Sequence, residues 1–194
     1  RAYVLDVPAG ALDLGDGRTL VHPALQIRPD DRIALVGANG LGKSTLLRHL
    51  LPQVLVPEER LLNIPQEISE NESRRIHEEL KRLDDVPLGR VMTLVSRLGS
   101  RPARLLASTT PSPGEIRKIL LARGVARGPH LIVMDEPTNH LDLPSIECLE
   151  AALAEAPCAL LLVSHDARFL SKLTRTRWEL TPTTPTQIEL NVVL

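Results

Sequence analysis

Residues 32–50 read RIALVGANGLGKSTLLRHL, and no other stretch limits the possible folds as tightly. An apolar run from Ile33 to Val36 breaks at Gly37 into a glycine-rich loop. The loop leads into a helical pattern with Leu46, Leu47 and Leu50 on one side. Residues 37–45 fit G-x-x-x-x-G-K-[ST], with a strand before and a helix after. Gly37, Gly40 and Gly42 let the backbone of this loop, which includes Asn39 and ends at Thr45, curl its N–H groups around phosphate oxygens. A helix N-terminus there favours an anion. Lys43 would reach the β- and γ-phosphates of a nucleotide, and Ser44 would ligand Mg2+.

A second apolar run ends in an unexpected way. LIVMDEPTNHLD (131–142) takes four apolar residues straight into two carboxylates, Asp135 and Glu136. Unpaired acids at the end of a buried strand are costly. In an enzyme with a phosphate loop, an acid at the end of a neighbouring strand holds Mg2+, and Asp135 fits that place, directly or through water. Glu136, one residue on, would polarise the water that attacks the γ-phosphate.

The rest of the chain alternates. RLLNIPQE (60–67) reads as a short strand ending at Pro65. Ser69 and Glu72 have capping-box spacing before a helix carrying Ile76, Leu80 and Leu83, which Pro87 is expected to end. Val91, Leu94, Val95 and Leu98 mark a second helix closed by Gly99. Ser112 and Glu115 repeat the capping pattern before a helix with Ile116, Ile119, Leu120 and Val125, stopped at Gly128-Pro129. A helix from Pro144, a strand over 159–166, a short helix through Phe169, and the strands RWEL and IELNVVL follow. Strands alternating with helices predict an α/β domain with a largely parallel sheet, interrupted by a helical lobe at about 68–127. The whole of 1–194 is expected to be one domain.

Composition removes several classes. No apolar stretch approaches a membrane span, and nothing resembles a signal sequence. Tyr3, Phe169 and Trp178 are the only aromatic residues, too few for the stacking surface of a single-strand nucleic-acid binder. Cys148 and Cys158 offer no metal site and fit small buried hydrophobes in a reducing compartment. Residues 74–127 hold 12 Lys/Arg against 5 Asp/Glu, while the remainder holds 11 against 19. Such a segment could face phosphates or an acidic partner, although solvated helix faces account for the charge alone.

With these motifs in place, the chain resembles the ATP-binding cassette superfamily over nearly its whole length. The resemblance implies an ATPase using ATP and Mg2+, with an antiparallel β part at the N-terminal end of the phosphate-loop fold. It implies that Gln66 of NIPQE contacts Mg2+ and the attacking water, and that His165 of LLVSHD contacts the γ-phosphate. SPGEIRK occupies the signature position, so Ser112, Gly114 and Glu115 would complete the site of a partner cassette. NHLD, with Asn139 and Asp142, looks like the loop that couples the two sites. DEPTNHLD, PQE and the Glu115 signature ending look most like the ABC-F branch, whose members are cytoplasmic, carry two cassettes and act on the ribosome in translation or antibiotic resistance. Only 45 residues separate Gln66 from Ser112, which leaves no room for the arm insertion of a first cassette. Arg1 is not a methionine, and the chain is expected to be the second-cassette part of a longer protein, without direct membrane insertion.

Two positions depart from the family pattern. Residues 111–114 read Pro-Ser-Pro-Gly where Leu-Ser-Gly-Gly is usual, and Pro113 removes one N–H that could face phosphate. Leu14 holds the place where related cassettes stack an aromatic ring on adenine, so base recognition is expected to rest on apolar contact. The energising subunit of a membrane transporter would share every catalytic residue, and a clamp with little turnover is a third reading, supported only by Pro113.

Overall fold

The apolar runs of the sequence form the middle of one mixed sheet. The computed structural model describes residues 3–139 and 141–194. The chain begins with β1 (Leu5–Val7), β2 (Gly10–Asp13), β3 (Thr19–His22), β4 (Leu25–Ile27) and β5 (Arg32–Val36). Next come α1 (Lys43–Leu50), β6 (Leu61–Ile64), and the helices α2 (Glu70–Lys81), α3 (Asp85–Arg97), α4 (Pro102–Ala107) and α5 (Pro113–Ala126). The chain then runs through β7 (Leu131–Asp135), α6 (Leu143–Glu155), β8 (Ala159–Val163), α7 (Ala167–Leu173), β9 (Thr176–Thr184) and β10 (Gln187–Val193).

Eight strands pair in the order β2-β3-β10-β9-β5-β8-β7-β6, and β1 pairs with β4 in a separate antiparallel ribbon. The five strands from β9 to β6 are mutually parallel. The pairs β2–β3 and β9–β10 are antiparallel. Every residue of β7 and β8 is buried, as expected of parallel strands covered on both faces. Because β5, β6, β7 and β8 point the same way, their C-terminal ends emerge along one edge, where open α/β sheets present their binding crevices.

Three apolar clusters hold this arrangement. One packs α1 and the β1–β4 ribbon against one side of the sheet. A second packs α6 and α7, with Leu121 of α5, against the other. The third is the core of the helical lobe, with Ile76 and Leu80 from α2, Val91 and Val95 from α3, and Ile116 and Ile119 from α5. Helix α5 serves both the second and third clusters, so truncating Leu121 or Ile119 to alanine would cost about 2–5 kcal/mol in either direction of packing.

Some sequence expectations shift. Helix α2 ends at Lys81, before Pro87, which instead sits in the first turn of α3, where its missing N–H has no partner to lose. Helix α4 is six residues long with only Leu105 buried, too short to leave a periodic signal. The strand expected over 159–166 stops at Val163, so Ser164 and His165 lie in the loop beyond it. Strand β9 runs well past Leu180 and contains Pro182. It pairs with β5 only as far as Glu179, so Pro182 has no ladder bond to forfeit on that side.

Candidate functional site

The edge formed by the ends of β5, β6 and β7 opens onto a cavity of about 390 Å³. It is lined by Leu14, Arg18, Asn39, Gly40, Gly42, Lys43, Ser44, Thr45, Gln66 and Asp135. Gly42 sits at φ 91° as the residue before α1, and a Cβ there would lie 2.7 Å from the Leu14 side chain. The left-handed φ favours glycine, and a Cβ would also have to push the Leu14 side chain aside. No side chain caps α1 and its first turn contains no acid, so the free N–H groups of that turn keep their positive end. The Lys43 ammonium arches back over the loop, donating to the carbonyls of Gly37 at 2.8 Å and Ala38 at 3.1 Å.

Ser44 and Asp135 come together across the sheet. The Ser44 hydroxyl donates to Asp135 Oδ2 at 2.8 Å, joining the start of α1 to the end of β7. Among the described residues no group of three or more His, Cys, Asp or Glu could enclose a metal ion. One hydroxyl and one carboxylate are hard oxygen donors that suit Mg2+, an ion that keeps several waters and binds through one or two protein oxygens together with nucleotide phosphates. The donor set therefore fits Mg2+ arriving with a nucleotide.

Glu136 is held in an unusual way. Its φ is 49°, the only positive value at a non-glycine residue among those described, and such a conformation costs of order 1–3 kcal/mol. Its N–H donates to the Val163 carbonyl at 2.8 Å, and Oε2 accepts the His165 N–H at 3.3 Å. Only 7 % of the residue is exposed. Oε1 is buried and makes no hydrogen bond; His165 Nε2 lies 3.4 Å away, within ion-pair range but off hydrogen-bond geometry. The His165 ring is exposed and also lines a separate cavity of about 360 Å³ with Gly37, Ser164 and Arg177.

The signature residues lie apart from this cavity. Ser112 caps α5, accepting the Glu115 N–H at 3.3 Å, while Glu115 Oε2 accepts the Ser112 N–H at 2.8 Å. Both halves of the expected capping box are present, with Pro113 at the first helical position and Gly114 buried behind it. In the NHLD segment the Asn139 N–H donates to the Glu136 carbonyl at 3.2 Å; His140 lies outside the described residues. Asp142 caps α6 by accepting the Ser145 N–H at 3.1 Å. Hydrogen bonding from Ser145, with the nearby Lys118 cation, holds its carboxyl below the usual range.

Two residues near the site escaped the sequence reading. Arg117 was counted with the solvated charges of the lobe, yet it is 5 % exposed. Its guanidinium donates to the Glu136 carbonyl at 3.1 Å and to the Gln66 carbonyl, tying α5 to the segments after β6 and β7. Burial lowers its pKa, an effect opposed by the charges of Asp135 and Glu136. Its flanking apolar residues, Ile116 and Ile119, were the available signal. Arg18 lines the cavity beside Leu14, and only its closeness to Leu14 in sequence could have marked it.

Comparison with known proteins agrees with this architecture. The family described as ABC transporter matches residues 20–139. The zinc import ATP-binding protein ZnuC of Paracoccus denitrificans is 34% identical over 78% of the chain, and the match covers 65% of that protein. The ribosome protection protein VmlR of Bacillus subtilis is 35% identical over 82% of the chain and 31% of its own length. ABC transporter F family member 2 of Dictyostelium discoideum is 31% identical over 79% of the chain and 28% of its own length. The chain thus spans about two thirds of the first of these relatives and under a third of the others. Among solved structures, the RNase-L Inhibitor superposes with a TM-score of 0.76 at 20% identity over 98% of the chain and 39% of its own, a likeness of fold. The chain belongs to the ABC transporter family. It is an ATPase cassette, a class that works with ATP and Mg2+, and its relatives include ABC-F proteins.

Proposed function

We propose that Gly37–Thr45 binds the triphosphate of ATP, that Ser44, Asp135 and Gln66 hold Mg2+, and that Glu136 is the base for hydrolysis, as the second cassette of an ABC-F-type protein acting on the ribosome. The observation that carries the catalytic part is Glu136 Oε1, a buried carboxylate oxygen with no hydrogen bond, one residue from the Asp135–Ser44 pair. Bound Mg2+ would neutralise charge on the β- and γ-phosphate oxygens. The α1 N–H groups and Lys43 would hold those phosphates. Glu136 would take the proton of the attacking water, and His165, bonded to Glu136 through its own N–H, would set the carboxylate's orientation toward the γ-phosphate. Water would add to the γ-phosphorus, the bond to the bridging oxygen would break, and ADP and phosphate would leave.

Ser112, Gly114 and Glu115 would serve the second site of a two-cassette pair, since the structure keeps them out of the Lys43 cavity. Asn139 and Asp142, next to Glu136 in sequence, would link the two sites. The ribosomal role is supported by the DEPTNHLD segment and by the likeness to VmlR, whose name makes it a ribosome protection protein. A cytoplasmic location follows from the same reading. The chain carrying Glu136→Gln should co-sediment with ribosomes in ATP when joined to its partner cassette. Failure to do so in ATP, with nucleotide bound, would remove the ribosomal role.

The second reading, an energising subunit of a transporter, is favoured by the ZnuC likeness. A groove of about 520 Å³ does lie between β6, α2 and α5, lined by Asn63, Ile76 and Arg123 among others. Gln66 is not part of it, which weakens it as a nucleotide-coupled docking groove. Among the described residues no helix is long and apolar enough to cross a membrane.

A further inference from the structure

The cavity of about 360 Å³ beside His165 is an elongated groove between α7 and the sheet. Helix α7 covers it with Ala167, Leu170 and Ser171, which share one helix face. Its floor is β5 and β9. Ala34 pairs with Arg177, and the Arg175 N–H donates to the Arg32 carbonyl at 2.9 Å, so both arginines stand on the face that Ala34 presents to α7. One end of the groove is Gly37 and His165, at the edge where the Lys43 cavity lies, and the other is Thr174 and Arg175. Along β5, Gly37 is about 16 Å from the level of Arg32 at about 3.3 Å per residue. Cations follow one another over that length. His165 comes first, its Nε2 3.4 Å from Glu136 Oε1 while its ring lines the groove. Arg177 is next, and Arg175 lies two residues further out, about 7 Å on. Neither arginine side chain has a hydrogen-bond or ion-pair partner among the described residues. The buried Ser164 hydroxyl accepts the Asp166 N–H at 3.1 Å and keeps its own proton to donate. No Asp or Glu lines the groove.

We propose that this groove receives the inorganic phosphate formed by hydrolysis and leads it away from the nucleotide, with Arg177 as its first strong contact and Arg175 as its second. The proposal rests on the reading of Glu136 and His165 as the hydrolytic residues. A phosphate leaving the γ position must give up Mg2+ and Lys43, and while ADP fills the cavity around Lys43 the way past the nucleotide is blocked. The groove opens on the other side of His165, so it offers a polar path that avoids ADP. A cleft lined by one sign of charge concentrates counter-ions and speeds their passage. A guanidinium meets two phosphate oxygens at once, and unpaired arginines have no internal partner to give up first. The apolar floor of Ala34 and Val36 offers the ion no bond, so it passes from cation to cation instead of being held along the whole path.

The test separates bond cleavage from product release in a single turnover of ATP by the chain joined to its partner cassette. Acid quenching reads cleavage, and a fluorescent phosphate-binding protein in solution reads release. Arg177→Ala should slow release about tenfold and leave cleavage within about twofold, the low end of the range for a charged cleft. Arg177→Glu should slow release further, Arg177→Lys should recover most of it, and Arg175→Ala should show a smaller loss than Arg177→Ala. Unchanged release in Arg177→Ala would overturn the proposal. So would cleavage and release falling in parallel, because Arg177 would then act on hydrolysis or on the fold. An Arg177→Lys variant as slow as Arg177→Ala would also overturn it, since charge would not be what matters. If Glu136→Gln cleaved ATP at the native rate, the hydrolytic reading itself would fail and take the exit path with it. With cleavage lost in that variant, the Arg177 results bear on phosphate release alone.

Discussion

Helices α1 and α5 both begin with backbone N–H groups that no earlier turn can satisfy, yet the chain treats the two ends in opposite ways. The start of α1 follows a left-handed glycine, has no side-chain cap and no acid in its first turn, and carries Lys43 and Ser44. The start of α5 is closed by the reciprocal bonds of Ser112 and Glu115 and by Pro113, which has no N–H to offer. An uncapped helix end with a lysine is a ready site for phosphate. A capped end with a glutamate has already met the Glu115 N–H and part of its dipole from within. The first end can hold an anion by itself, whereas the second would have to share its cap with any phosphate brought to it. This is the asymmetry expected if one cassette supplies the binding face and another supplies the closing face.

The largest effect should come from the chemistry at the first face. Glu136→Gln keeps the shape but cannot take a proton, so hydrolysis by the chain joined to its partner cassette should fall by roughly 10²–10⁴ while ATP binding persists. Phosphate release and nucleotide binding, measured side by side, check this; parallel losses would mean that Glu136 holds nucleotide. Lys43→Ala should come next, weakening ATP binding by about ten- to a hundredfold through loss of a charge-assisted contact. Normal turnover in that variant would dissolve the contrast between the two helix ends.

Ser112→Ala sharpens the comparison from the other side. Loss of the α5 cap should cost about 1 kcal/mol of stability, read as a lower midpoint in urea, and leave ATP affinity of the isolated chain unchanged. If ATP affinity fell as well, the two ends would belong to one site. The smallest expected difference is between bases: ATP and GTP should bind within about tenfold, or ~1.4 kcal/mol, by calorimetric titration. A strong preference would reveal a contact to the base edge.

Features written in neighbouring residues were legible before the structure was known. The phosphate loop, the two acids after LIVM and the Ser112–Glu115 box are short patterns contained within a few positions, and the strand–loop–helix, the buried strand end and the capping box form as read. Pro87 misled because the same missing N–H and fixed φ suit a helix start as well as a helix stop. The parallel pairing of β3 with β10 joins strands more than 160 residues apart and leaves no local trace. Arg117 is buried because α5 meets the ends of β6 and β7, and only the apolar Ile116 and Ile119 beside it speak against reading it as a solvated charge. The roles of Asp135 and Glu136 are read from two acids ending an apolar strand, and those of Gln66 and His165 from the family resemblance; the parallel strands explain why all four follow strand ends along one edge.

The left-handed backbone at Glu136 sets folding and chemistry against each other at a single position. Glycine would relax the φ of 49° and remove a buried acid whose Oε1 has no hydrogen bond. The relief, of order 1–3 kcal/mol, is offset by the roughly 0.4–1 kcal/mol that glycine loses through a freer unfolded chain and by the lost bond from the His165 N–H. Glu136→Gly should therefore melt close to the native chain while hydrolysing no ATP. A screen that rewarded thermal endurance alone would not protect this glutamate, and the residues such a screen leaves unguarded would trace the outline of the proposed site.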